Sequence, residues 1–268
     1  MLPMLATCPD QRPNDPSDLP GLRGEFEVHL TVGPGAAEAL AAWAADHGLK
    51  FTHILLARGT MPSQPMLTLR ARGTLEETAA ATARTAEQLA QAGFAVLRTK
   101  IEATPWAEGV PATDGDAAAH GTSRYFEHHL KLCLPPATPV GPASADSPAH
   151  TALATLAALA VRHDAHLSHN PRRTREDGHR EWFVTQRCRR VGLATAGRRL
   201  DALLADLATA GHRVLSAERE FVAVDSDETL DAGWITEHDH PAGPREAATA
   251  GAETAEAAEA AAREGDPR

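Results

Sequence analysis

The chain of 268 residues is 43% apolar, enough to bury one large core or two small ones, and its formal net charge is -10. Eight acids against three bases in the last 32 residues, Glu237 to Arg268, place half of that excess on a tail. Three cysteines (Cys8, Cys133 and Cys188) in no CxxC spacing exclude a disulfide framework or a zinc knuckle and fit a reducing cytosol.

Residues 1–23 carry Pro3, Pro9, Pro13, Pro16 and Pro20 and lack a basic start followed by an apolar run, so they read as a disordered leader rather than a signal or a membrane span. A first unit spans residues 24–104. It opens with the strand "FEVHLTV" and continues into an Ala-rich helix in which Ala37, Leu40, Trp43 and Ala44 recur at helical spacing. Two strands follow, "LKFTHILLARG" and "PMLTLRARG", then the helix "TLEETAAATARTAEQLAQAG" closed by Gly93, then the strand "FAVLRTKIEA".

After a linker at 105–123, a second unit at 124–236 repeats the order. Phe26-Glu27-Val28-His29-Leu30 returns as Phe126-Glu127-His128-His129-Leu130, and Leu153, Leu156, Leu159 and Ala160 mark the equivalent first helix. Equivalent positions lie 100 apart in the first strand and 118 apart at the last helix, where Ala92-Gly93 matches Ala210-Gly211. Most of that growth comes from the Pro-rich insertion "PPATPVGPASADSP". Residues 237–268, almost all Ala and Glu without a large apolar side chain, read as a disordered tail or at best a solvated helix.

Strand, helix, strand, strand, helix, strand, written twice, predicts an α+β protein of two tandem ferredoxin-like (βαββαβ) repeats. Helices cover one face of each sheet, so the other faces are expected to form a shared polar cleft. Alternation sends Phe26, Val28, Leu30 and Val32 under the helices and leaves Glu27, His29 and Thr31 on the open face. Parity likewise opens Glu127, His129, Lys131 and Cys133 in the second unit, Arg98, Lys100 and Glu102 in the first, and Glu218 and Glu220 in the last strand. An antiparallel sheet with one solvated face alternates in the same way. The mixture of Glu, His and Lys in neighbouring rows nevertheless suits pKa tuning and proton transfer.

The second unit's central loop adds Ser168, His169, Asn170, Arg172, Arg173 and Arg187 to the candidate ligand set. Seven arginines face three acids between Asn170 and Arg190, a local basic patch suited to phosphate or carboxylate. "DSDETLDAGWI", Asp225 to Ile235, reads as a clamp on the second sheet through Trp234 and Ile235. No HExxH, P-loop, GxGxxG or GxSxG motif is present, so no metal site and no cofactor is assigned. Few aromatics are free to stack bases, which argues against nucleic acid.

His29-Leu30-Thr31 resembles half the signature of the two-histidine phosphoesterases, in which an HxT or HxS motif occurs once per lobe. The resemblance implies one histidine as general base and the other as general acid on a phosphodiester. The second unit has Lys131 where the family has a hydroxyl residue. Glu25-x-Glu27-x-His29 is similar to the opening of the triphosphate-tunnel enzymes, which carry Lys at the place of His29. The overall layout resembles a group of high-GC bacterial proteins, some labelled ankyrin-like, although no TPLH-type repeat is present.

The reading that follows is a cytosolic enzyme binding an anionic small molecule, a phosphorylated one among the candidates, between two lobes. His29 and His129 are its acid/base pair, Glu27 and Glu127 orient them, and Thr31, Lys100, Glu102, Lys131 and the loop residues hold the ligand. The alternative is a non-catalytic ligand-sensing or interaction module. A second chain covering the open face is equally compatible with the sequence, which leaves the oligomeric state open.

Overall fold

Alternating strands and two Ala-rich helices per unit build the elements that the periodicity predicts. The computed structural model describes residues 21–134, 148–174 and 179–235. The leader up to residue 20, most of the Pro-rich insertion, Arg175 and the Ala/Glu tail lie outside the described residues. The first half contains β1 (Arg23–Val32), α1 (Ala37–Asp46), β2 (Lys50–Leu56), β3 (Ser63–Thr74), α2 (Leu75–Gln91) and β4 (Val96–Ala103). A short α3 (Asp114–Ala118) precedes β5 (Tyr125–Leu134), α4 (Pro148–Arg162), β6 (Ala165–Thr174), β7 (Arg180–Arg189), α5 (Leu193–Thr209) and β8 (Val214–Asp225).

Local chemistry explains the boundaries. Thr74 caps α2 in a reciprocal box with Glu77, and Thr113 does the same for α3 with Asp116. Both α2 and α5 end at glycines of positive φ, Gly93 and Gly211, where a side chain would be strained. The linker is tied down at each end: Arg23 bridges to Glu108, and Asp114 accepts from the Gly192 amide and the Thr195 hydroxyl.

Among the described residues the fold is mixed, with eight antiparallel strands and five helices, and its strands close in the ring order β1-β3-β2-β6-β7-β5-β8-β4. The expected cleft between two facing sheets is therefore replaced by the inside of one barrel. The physical reason is the edges. Each four-stranded half leaves two open edges, and pairing β2 with β6 and β4 with β8 satisfies all four at once.

Closure puts the apolar parity outside and the polar parity inside. Phe26, Val28 and Leu30 are buried against the outer helices, and three clusters of buried apolar side chains lie there. One clusters around Leu30, Leu40 and Leu89 beneath α1 and α2, and another around Leu130, Leu156 and Leu203 beneath α4 and α5. At roughly 1.5–3 kcal/mol for each fully buried large side chain, this outer packing is the main favourable term, and the lumen is free to be polar.

One end of the barrel is plugged. After β8 the chain turns through a 3-10 segment, Glu228–Asp231, and lays Trp234 across the opening. The Trp234 indole donates to the Leu167 carbonyl at 2.8 Å, and the Thr60 amide donates to the Ala232 carbonyl at 2.9 Å. Gly59 permits this docking, because a Cβ there would sit 3.1 Å from Trp234 and Ala232 atoms, and its φ is +120°. The clamp read from the sequence thus closes the whole barrel rather than the second sheet alone. No helix among the described residues is long and apolar enough to cross a membrane.

Candidate functional site

The barrel holds a cavity of about 460 Å³ lined by side chains of all eight strands and the plug. Strand register sets the rows. On the first half, Glu27 lies beside Arg70 and Glu102, His29 beside Thr68 and Lys100, and Thr31 beside Met66 and Arg98. On the second half, Lys131 lies beside Phe183, His129 beside Thr185 and Glu218, and Glu127 beside Arg187 and Glu220.

Because every pairing around the ring is antiparallel, β5 runs opposite to β1. Residues equivalent by repeat therefore differ in depth. Glu27 sits at the open mouth, paired with Lys50 at 3.4 Å and Arg70 at 3.2 Å, both largely exposed. Glu127 sits at the plugged side, fully buried between Arg187 at 2.7 Å and Lys100 at 2.8 Å.

The plugged end is a network of alternating charges. Arg98 donates to both oxygens of Asp225, at 2.7 and 2.5 Å, and pairs with Asp231 at 3.0 Å. Arg187 bridges Asp231 at 2.5 Å to Glu127, and Tyr125 donates its hydroxyl to Asp225 at 2.7 Å. Burial opposes ionisation of Asp225 and Asp231, but Arg98 for the first and Arg187 with Arg98 for the second outweigh it and hold both carboxyls below their usual range. Asp225 reaches the lumen only because β8 bulges: Val222 pairs with Glu102, Val224 with Ile101 and Asp225 with Lys100.

Midway down the cavity lie the two histidines. The Nε2 of His29 is 3.1 Å from Glu102 and 3.7 Å from Glu27, and its Nδ1 is hydrogen-bonded to Thr68 at 3.1 Å. The Nε2 of His129 is 3.2 Å from Glu127 and 3.3 Å from Glu220, and its Nδ1 is hydrogen-bonded to Thr185 at 3.0 Å. The nearer carboxylate of His29 is thus Glu102, from the neighbouring strand, rather than the Glu27 of its own motif.

Lys100 is wedged between Glu102 at 2.5 Å and Glu127 at 2.8 Å. Burial works against the ammonium, yet the two carboxylates hold its pKa well above the ordinary value. Burial likewise disfavours the Glu102 carboxylate, and Lys100 and His29 overcome it, keeping that carboxyl far below its usual range. For His129, burial is outweighed by Glu127 and Glu220, which raise the ring to about 10. Burial and the charge of Glu102 push Glu220 the other way, upward.

Of the residues singled out in the sequence, Glu27, His29, Thr31, Lys100, Glu102, Glu127, His129, Lys131, Ser168, Asn170, Arg172, Arg173 and Arg187 line this one cavity. His169 does not: its ring lies 4.7 Å from that of Trp182, on the opposite face of β6. The arginine patch divides. Arg172 and Arg173 stand at the cavity, with Arg172 over the Phe51 ring and paired with Glu38, whereas Arg187 is consumed by the plugged end and Arg189 pairs with Glu228. Lys131 is 3.7 Å from Glu181 and over the Phe183 ring.

Sequence reasoning missed Thr68 and Thr185, which fix the histidine rings, and Asp231. The threonines carry a legible signal, since both fall at lumen parity in strands paired with the His-bearing strands. Asp231 carries none, because no periodicity governs a plug. No known protein family matches the chain, and no curated protein is significantly similar to it.

Proposed function

We propose that the barrel is a cup for a small anionic, phosphate-bearing molecule, and that it acts on that molecule by histidine–carboxylate proton transfer, as a phosphoesterase does. The carrying observation is the convergence of His29 and His129, one from each half, with Glu102 in a single cavity that Lys50, Lys131, Arg172 and Arg173 also line. Cations set along the cavity draw an anion inward. His29, against the ionised Glu102, is the group placed to take and return a proton. His129, whose proton Glu127 and Glu220 retain, contributes fixed positive charge toward an anion. The same reading takes each half as a ferredoxin-like unit, supported by the matching orders β4-β1-β3-β2 and β8-β5-β7-β6.

A second reading, a ligand-sensing module without turnover, is favoured by one observation. Both nitrogens of each ring are engaged, Nδ1 by a threonine and Nε2 by a carboxylate, so neither histidine presents a free nitrogen before a ligand arrives.

Thermal shift against inorganic phosphate, nucleotides and sugar phosphates, run beside phosphate release, separates the two. Stabilisation with turnover that His29→Ala abolishes supports the enzyme. Stabilisation without turnover supports the sensor, and no stabilisation by any of these anions removes both.

A further inference from the structure

We propose that Glu102, His129 and Glu220 form a binding site for one divalent transition-metal ion, such as Mn²⁺, midway down the cup. One ligand atom from each of the three lies within 4.8 Å of the others. Two ligands each about 2.2 Å from a shared ion stand at most about 4.4 Å apart, so the three close on an ion by moving a few tenths of an ångström. They come from β4, β5 and β8, which are hydrogen-bonded neighbours in the order β4-β8-β5, so backbone register holds them together.

Three further observations point to a cation. Glu102 is 2% exposed, and both its carboxylate oxygens are buried with no partner among the described residues beyond the ion pairs to Lys100 at 2.5 Å and His29 at 3.1 Å. The ring of His129 is already oriented as a ligand: Thr185 occupies Nδ1 and turns Nε2 toward the carboxylates, the arrangement that fixes metal-binding imidazoles, and the ion displaces to solvent the Nε2 proton that Glu127 and Glu220 hold there. The fixed charge is also unbalanced. Facing the inner part of the barrel, and leaving the two histidines aside, Arg98, Lys100 and Arg187 oppose Glu102, Glu127, Glu220, Asp225 and Asp231, so three cations meet five carboxylates. With no ion bound the His129 imidazolium offsets one of the two remaining charges, and a divalent ion that displaces its proton offsets both. They gather at Glu102 and Glu220, since Asp225, Asp231 and Glu127 share Arg98 and Arg187.

Two carboxylates with one imidazole suit Mn²⁺, Fe²⁺ or Zn²⁺ better than Ca²⁺, which takes six to eight oxygens. Three protein ligands leave positions open toward the cavity. That such an ion would receive the phosphate of the ligand rests on the reading of the cup as an anion site. The ion site itself does not.

Mn²⁺ alone provides the test, with the full chain and no anion. Titration followed by loss of the free Mn²⁺ EPR signal is expected to show a single strong site, weakened about tenfold or more by Glu220→Gln and by Glu102→Gln and unchanged by Glu218→Gln. Pulsed EPR of the wild-type complex is expected to show coupling to one ¹⁴N nucleus, from His129, a readout that needs no variant to fold. Failure of the wild type to bind Mn²⁺, binding that neither glutamine variant weakens, or a complex without nitrogen coupling overturns the proposal. Since no anion enters the experiment, such a result leaves the phosphate reading standing, and loss of anion binding leaves the metal site standing.

Discussion

Lys100→Met gives the sharpest test of how the lumen is held together. The change keeps most of the aliphatic stem and deletes an ammonium that is 2.5 Å from Glu102 and 2.8 Å from Glu127. Glu127 keeps Arg187 at 2.7 Å, whereas Glu102 keeps only His29 at 3.1 Å. Removing one partner of a buried pair costs about 3–5 kcal/mol, because the other charge is left uncompensated. With one of the two carboxylates still paired, the lower figure applies, about 3 kcal/mol. For a domain of this size that lowers Tm by about 6–12 °C. Adding Glu102→Gln removes the stranded charge, so the double variant should lose less than the sum of the singles by more than about 1 kcal/mol. Urea unfolding at pH 7 of the wild type, both singles and the double closes the cycle. A Lys100→Met cost below about 1 kcal/mol, or additivity within about 0.5 kcal/mol, would refute the uncompensated-charge argument.

Stability should also fall toward alkaline pH. His129 is raised in the folded protein to about 10 from an ordinary 6.5, so its contribution is complete below 6.5 and is lost as pH climbs from there through 10. At about 1.4 kcal/mol per pH unit the ceiling is about 5 kcal/mol. The wild-type urea midpoint should decline between pH 7 and 10, and the slope should flatten in His129→Gln. The opposite sign holds for Glu102, Glu127, Asp225 and Asp231, all depressed: their contribution is present above about pH 4 and is lost as pH falls below it, which an acid titration followed by circular dichroism will show. Trp234→Ala unseats the plug, removing a buried indole and its bond to Leu167, and should cost about 3–5 kcal/mol in the same denaturation assay. Arg172→Ala with Arg173→Ala should weaken phosphate binding measured by calorimetry at least tenfold without lowering Tm by more than a few degrees.

The lumen-facing set was legible because the period of a strand is two. Phe26, Val28 and Leu30 on one parity and Glu27, His29 and Thr31 on the other leave a single assignment once helices are seen to flank the strands. Three features were not legible. The closing seams β2–β6 and β4–β8 join residues far apart in sequence, and nothing in either strand marks its partner. The bulge near Ala223 reverses parity without a Gly or Pro to announce it, which hid Asp225. Ion pairing also chose partners across strands, His29 with Glu102 rather than the Glu27 two residues away, because strand register places Glu102 in the adjacent row.

The repeated Glu-x-His invites the assumption of two equal half-sites, and the geometry argues against it. In the antiparallel ring β1 and β5 run in opposite directions, so one end of the first strand meets the mouth while the same end of the fifth meets the plug. Glu27 therefore answers to exposed Lys50 and Arg70, and Glu127 to buried Arg187 and Lys100. Glu127 is held at the closed end, and His129 lies between it, at 3.2 Å, and Glu220, at 3.3 Å, with Glu102 close by; Glu220 and Glu102 have no arginine partner among the described residues. A plug at one end alone is thus enough to divide the barrel into a pole where Arg98 and Arg187 pair with Asp225, Asp231 and Glu127, and a middle where Glu102 and Glu220 meet Lys100 and the two histidines instead. The consequence is directional: substitutions at Glu127 should act through stability, and substitutions at Glu220 through what the cup binds.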